Sequence, residues 1–124
     1  MWKEVKAMTH LEDIVKFQKE FDDKHGWIRG SEHNDEEFLK NLQYSVIGLT
    51  GEAGELANFA KKLLRERHST GKFSDVHLES MREELIDVFI YLIILSVVLK
   101  VDVAKKYYEK MEFNQKKFER FEKK

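Results

Sequence analysis

Glu84-Leu-Ile-Asp-Val-Phe-Ile-Tyr-Leu-Ile-Ile-Leu-Ser-Val-Val-Leu99 is the stretch that decides the fold. Apolar residues from Leu85 to Leu99 occupy nearly the whole helical circumference, the pattern of a helix with neighbours on every side. The run is shorter than the ~20 residues that cross a bilayer and contains Asp87, Tyr91 and Ser96, so it reads as a central core helix. Ser74 and Asp75 can cap its start, which predicts a helix over Val76 to Lys100. Beyond it, Asp102 can cap a further helix running to the C-terminus, with Val103, Tyr107, Met111, Phe118 and Phe121 on its apolar side.

Two more helices precede the central one. Leu11, Ile14, Val15, Phe17 and Phe21 make an amphipathic stripe from about Thr9 to Lys24. Gly26, Gly30 and the polar run Ser31 to Asn34 form a loop, and Asn34 followed by Glu37 resembles a capping box. The helix it opens continues through Leu39, Leu42, Val46, Leu49, Leu56, Phe59 and Leu63 and ends between Arg65 and Gly71. Gly48, Gly51 and Gly54 recur along it, each at up to about 1 kcal/mol relative to alanine, which predicts close approach of a backbone or a ligand. With no proline anywhere, the expected architecture is a single all-α domain over residues 1–124, a four-helix bundle.

Composition narrows the function. The 22 basic and 23 acidic side chains nearly cancel, which gives no support to a nucleic-acid or membrane-surface binder. The lack of cysteine excludes disulfides, thiolate metal sites and thiol nucleophiles. Met1 to His10 has no apolar export core, so the expected location is the cytoplasm.

The chemistry lies in two acidic pairs, Glu52-x-x-Glu55 and Glu84-x-x-Asp87. Residues three apart share a helix face, so packing the two helices together aims four carboxylates at one point. Four anions share a poorly hydrated space only if a cation neutralises them. Oxygen-only ligation favours Mg²⁺, with Mn²⁺ as a substitute. Each pair alone is common on charged helices. What singles them out is the setting, small residues around Glu52 and Glu55 and apolar ones around Asp87, which predicts a buried, paired or metal-bound Asp87. None of His10, His25, His33, His68 and His77 stands three residues after these acids, which argues against a di-iron bundle. Lys62, one face with Glu55 and Phe59, and the stripe Lys110, Asn114, Lys117 and Arg120 are candidates for phosphate contacts, and Trp27 and Tyr91 for stacking on a nucleobase.

Gly48-Leu-Thr-Gly-Glu-Ala-Gly-Glu-Leu56 followed by Glu84-Leu-Ile-Asp-Val-Phe-Ile-Tyr-Leu92 resembles the MazG-like, all-α nucleoside triphosphate pyrophosphohydrolases, and within them the dCTP pyrophosphatase branch. Phe17-Gln-Lys-Glu-Phe21 with Trp27 is similar to that branch's first helix, and Val101-Asp102 with Lys110-Met111-x-x-Asn114 to its last. The likeness extends over most of residues 14–120. Gly51 stands where the wider family often has the first of two adjacent glutamates, the loop from Trp27 to Asn41 is longer than in the dCTP branch, and the base-contacting histidine expected there has only His33 as a counterpart.

The resemblance implies that Glu52, Glu55, Glu84 and Asp87 hold Mg²⁺ and act in catalysis. It also implies that Trp27, Tyr91, Lys110 and Asn114 contact base, sugar or phosphates. The implied reaction is hydrolysis of a nucleoside triphosphate, preferably a deoxynucleotide, to the monophosphate and pyrophosphate, as nucleotide-pool housecleaning in a homodimer or homotetramer. The competing readings are a non-catalytic helical interaction module and a carboxylate-bridged metal-binding bundle.

Overall fold

The computed structural model describes residues 10–123, so the expected helix start at Thr9 and the terminal Lys124 lie outside the described residues. The described residues form four helices and no strand: α1 (Leu11–Lys24), α2 (Asp35–Thr70), α3 (Asp75–Val98) and α4 (Val103–Lys117), then a 3₁₀ turn over Glu119–Phe121. None is long and apolar enough to cross a membrane.

The three expected caps are made. Asn34 accepts from the Glu37 N–H at 2.9 Å, Ser74 from that of His77 at 3.4 Å, and Asp102 from that of Lys105 at 3.1 Å. The Glu37 carboxylate accepts in turn from the His33 N–H, so the box closes one residue outside the cap. Gly71, with φ +78°, ends α2 as expected. Two ends differ from expectation. α3 stops at Val98, because the chain passes through a left-handed conformation at Lys100 (φ +56°). α4 stops at Lys117, where the Phe118 carbonyl accepts from Phe121 in a tighter i→i+3 turn instead of continuing the helix.

α2 and α3 make an antiparallel hairpin, the dominant contact of the molecule. At its closed end the Glu66 carboxylate receives the Ser74 N–H at 2.8 Å and pairs with His77 Nδ1 at 2.9 Å. Midway, Gly48 lies against the Tyr91 ring so closely that a Cβ there would fall inside it. Gly51 and Gly54 face open space, so close packing accounts for only one of the three recurring glycines.

α1 lies along α3, and the segment after it folds back over the open end of the hairpin. Asp22 and Arg29 pair there at 3.0 Å, both nearly sealed from solvent. Gly30, at φ +81°, approaches α3 so nearly that a Cβ would sit 2.8 Å from the Val97 carbonyl. The fully buried apolar residues, Ile93, Ile94 and Val98, all belong to this end of α3.

The expectation of a surrounded central helix is corrected for the other end. Leu85 and Ile86 are 55% exposed and Leu92 47%, because α1 covers only one flank and α4 touches α1 rather than closing over α3. The apolar side of α4 is also open at Tyr107, Met111 and Phe118. The accessible surface is 10146 Å², against about 7,000 Å² for a compact monomer of this mass.

Candidate metal and nucleotide site

The antiparallel hairpin sets residues of α2 opposite residues of α3 in reverse order, so Glu52 faces the turn that carries Glu84 and Asp87. One carboxylate oxygen from each of the three lies within 4.8 Å of the others. Glu55, one turn further along α2, stands outside this group and is exposed, yet its charge is still felt at Glu84. The structure therefore gathers three of the four expected acids and sets the fourth beside them.

Asp87 is exposed, not buried as its apolar neighbours imply, because Leu85, Ile86 and Phe89 around it are themselves uncovered in the single chain. Glu84 carries the electrostatic load instead. Hydrogen bonding to the adjoining Glu52 carboxyl raises its pKa to about 7, helped by lost hydration and by the charges of Glu52, Asp87 and Glu55. Glu84 Oε2 is shut off from solvent and meets no donor among the described residues. An orphaned carboxylate oxygen inside a set of oxygen-only donors fits a hard divalent cation, which would satisfy Oε2 and offset the repulsion.

Tyr91 continues the Glu84–Asp87 face by one turn and meets Tyr44 of α2, with ring centroids 6.1 Å apart. The Tyr44 hydroxyl beside it, partial burial and the Glu52 charge hold the Tyr91 phenol above its usual range. Tyr44 also borders a cleft of about 540 Å³ between α2 and the segment after α1, along with Trp27, His33, Lys40 and Asn41. Trp27 is half exposed and stacks on His25 at 4.8 Å, and the Arg29 guanidinium lies 5.3 Å from the Tyr44 ring centre and 5.9 Å from that of Trp27. The pair Tyr44–Tyr91 thus joins an aromatic cleft to the acidic cluster.

The other expected contacts are placed differently. Lys62 sets its ammonium over the Phe59 ring at 5.0 Å. Lys110 covers Phe113 at 5.4 Å, and Asn114 lies 3.9 Å from Met111 sulfur, so their described contacts stay within α4. His33 does border the cleft with Trp27.

Sequence reading missed Asp22, Arg29, Asn41 and Tyr44. Asp22 had a signal: it extends the Leu11–Val15–Gln18 stripe of α1 by one turn, a carboxylate on an otherwise inward face. Arg29, in a loop, had none.

The chain is similar to dCTP pyrophosphatase 1 of Bos taurus. The two are 30% identical over 108 residues, 87% of this chain and 59% of that protein. A Gene 37 protein of Mycobacterium phage L5 is 38% identical over 63 residues, 51% of this chain and 54% of the phage protein. The chain thus spans somewhat over half the length of the curated relatives it matches. No family model matches it. The similarity to the bovine protein agrees with the resemblance drawn from the acidic motifs.

Proposed function

We propose that the chain is a divalent-cation-dependent nucleoside triphosphate pyrophosphohydrolase, releasing a nucleoside monophosphate and pyrophosphate. The observation that carries this reading is the crowding of Glu52, Glu84 and Asp87, with Glu84 held protonated up to about pH 7 and one of its oxygens orphaned. These three residues would hold Mg²⁺, or Mn²⁺ in its place. When bound there, the ion supplies charge neutralisation at the phosphates and a lower pKa for an attacking water.

The chain's own groups divide the remaining work. Glu55, exposed and outside the three-acid group, is free to orient the water and accept its proton. Lys62, on the same helix, would leave the Phe59 ring to counter charge on the departing pyrophosphate. Trp27 and Tyr44 border the cleft in which the base would lie, and Tyr91 stands between it and the acids. The bovine relative's name points to a deoxynucleotide as substrate, consistent with pool housecleaning in the cytoplasm.

Lys110 and Asn114 would join the site from a second copy. The exposed apolar flanks of α3 and α4 are surface that a second copy would cover. A homodimer or homotetramer would supply that cover. The same apolar flanks would also suit an interaction module, but that reading gives no reason for Glu52, Glu84 and Asp87 to converge.

The test is pyrophosphate release from a panel of dNTPs and NTPs with Mg²⁺ and with EDTA. Metal-dependent pyrophosphate is the expected product; orthophosphate, or no product from any nucleotide, refutes the reading.

A further inference from the structure

Asn41 lines the cleft beside Trp27 with its amide held at two points. Asn41 donates from Nδ2 to the Ile28 carbonyl and to Glu32 Oε1, both at 2.8 Å. Glu32 Oε1 also receives the Gly30 N–H at 2.9 Å. Burial works against a charged Glu32, but the hydrogen bonds from Asn41 and Gly30 prevail and hold its carboxyl below the usual range. Glu32 is therefore an acceptor, and a backbone carbonyl is always one. With two acceptors on one side, the amide of Asn41 has a single chemically permitted orientation: NH₂ toward the loop, Oδ1 away from it. Among the described residues Oδ1 accepts no hydrogen bond, and it is not sealed from solvent.

The remaining polar groups of the cleft are of a different kind. His33, Glu37 and Lys40 are exposed at its rim, and Arg29 behind it is engaged by Asp22. Asn41 is half-buried and held at two points. A ligand edge lying against it meets a fixed acceptor, and a fixed acceptor discriminates by leaving a carbonyl edge with two opposed lone pairs and no bond.

We propose that Asn41 determines base preference: its oriented carbonyl selects a nucleobase whose facing edge carries an exocyclic amino group over one that carries an oxo group. Glu32 is the positioning residue that keeps Asn41 from flipping. This deepens the nucleotide reading of the site and rests on it for the identity of the ligand.

Two substrate pairs test it, each differing in amino against oxo: dCTP with dUTP, and dATP with dITP. Affinity is measured by calorimetry and turnover by pyrophosphate release, on the full chain with Mg²⁺. In any pair that binds, the amino member is expected to bind at least about tenfold more tightly, and Asn41→Ala, with helicity checked by circular dichroism, should bring the ratio close to one. Equal affinities within the pairs, preference for the oxo member, or an unchanged ratio in a folded Asn41→Ala would overturn the proposal. If that variant does not fold, Glu32→Ala replaces it, and a ratio left at the wild-type value overturns the proposal in the same way. Amino-selective binding without hydrolysis would refute the reaction while leaving this inference standing; hydrolysis without selectivity would do the reverse. Failure to bind any of the four nucleotides would refute both.

Discussion

The open end of the α2–α3 hairpin and its acidic middle solve opposite problems. At the open end, the loop after α1 is closed in by groups that satisfy one another: Asp22 with Arg29, Asn41 with Ile28 and Glu32, Gly30 against Val97. The fully buried apolar side chains Ile93, Ile94 and Val98 lie at the same end. In the acidic stretch, Glu52, Glu84 and Asp87 repel one another, and Leu85, Ile86 and Phe89 beside them face water. The first region pairs its buried polar groups within a single chain, although Trp27, Ile28, Leu39 and Tyr44 stay exposed around its cleft. The other has charge that lacks a counter-ion and apolar surface that lacks a cover, and unmet requirements of those two kinds mark where a ligand and a partner belong.

The sharpest way to break this contrast is Asp87→Ala. If the acids serve the reaction, turnover should fall about a thousandfold. The metal-free protein should keep its Tm or gain slightly, since a repelling charge has gone. Full pyrophosphatase activity in that variant would refute the assignment of the site. A mere loss of stability would mean that Asp87 belongs to the fold.

Arg29→Ala attacks the open end. It leaves Asp22, about as well sealed, with the neutral Gln18 amide at 3.1 Å and no cation, and should lower stability by about 3 kcal/mol, read as a shift of the urea midpoint. A shift under about 1 kcal/mol would show that water enters the pair and that this end is no more closed than the acidic stretch.

Along α2 the glycines divide in the same way. Gly48→Ala drives a methyl into Tyr91 and should cost about 1–3 kcal/mol. In the metal-free chain, Gly51→Ala and Gly54→Ala meet open space and should be neutral or stabilising by up to about 1 kcal/mol. If either becomes costly only at high protein concentration, a second copy lies over that face.

A pH dependence sharpens the same contrast. The folded state holds the Glu84 proton up to about pH 7, whereas an unfolded glutamate releases it near 4.5. Between those values the native chain binds more protons than the unfolded one, so stability in EDTA should fall as pH rises from about 4.5 to 7 and then level off. A thermal-melt series at fixed salt, with Glu84→Gln as control, would show the slope vanish in the variant. An equal slope in both proteins would place the titrating group elsewhere.

Much of this protein follows from its sequence. The capping side chains Asn34, Ser74 and Asp102, the terminator Gly71 and the apolar periods define the helices, because caps and periods are local and act within a turn or two of chain. The i, i+3 spacing of Glu84 and Asp87 put both on one face for the same reason. Only the tertiary structure decided that Glu55 stands aside from Glu52, that Asp87 is exposed, that the α3 flank is uncovered, and that Arg29, Asn41 and Tyr44 frame a cleft with Asp22 paired to Arg29 behind it. Those outcomes depend on which groups distant in sequence are brought together, and on how much of a helix the rest of one chain can reach. Periodicity reports that a face is apolar; it does not say whether the cover comes from the same chain.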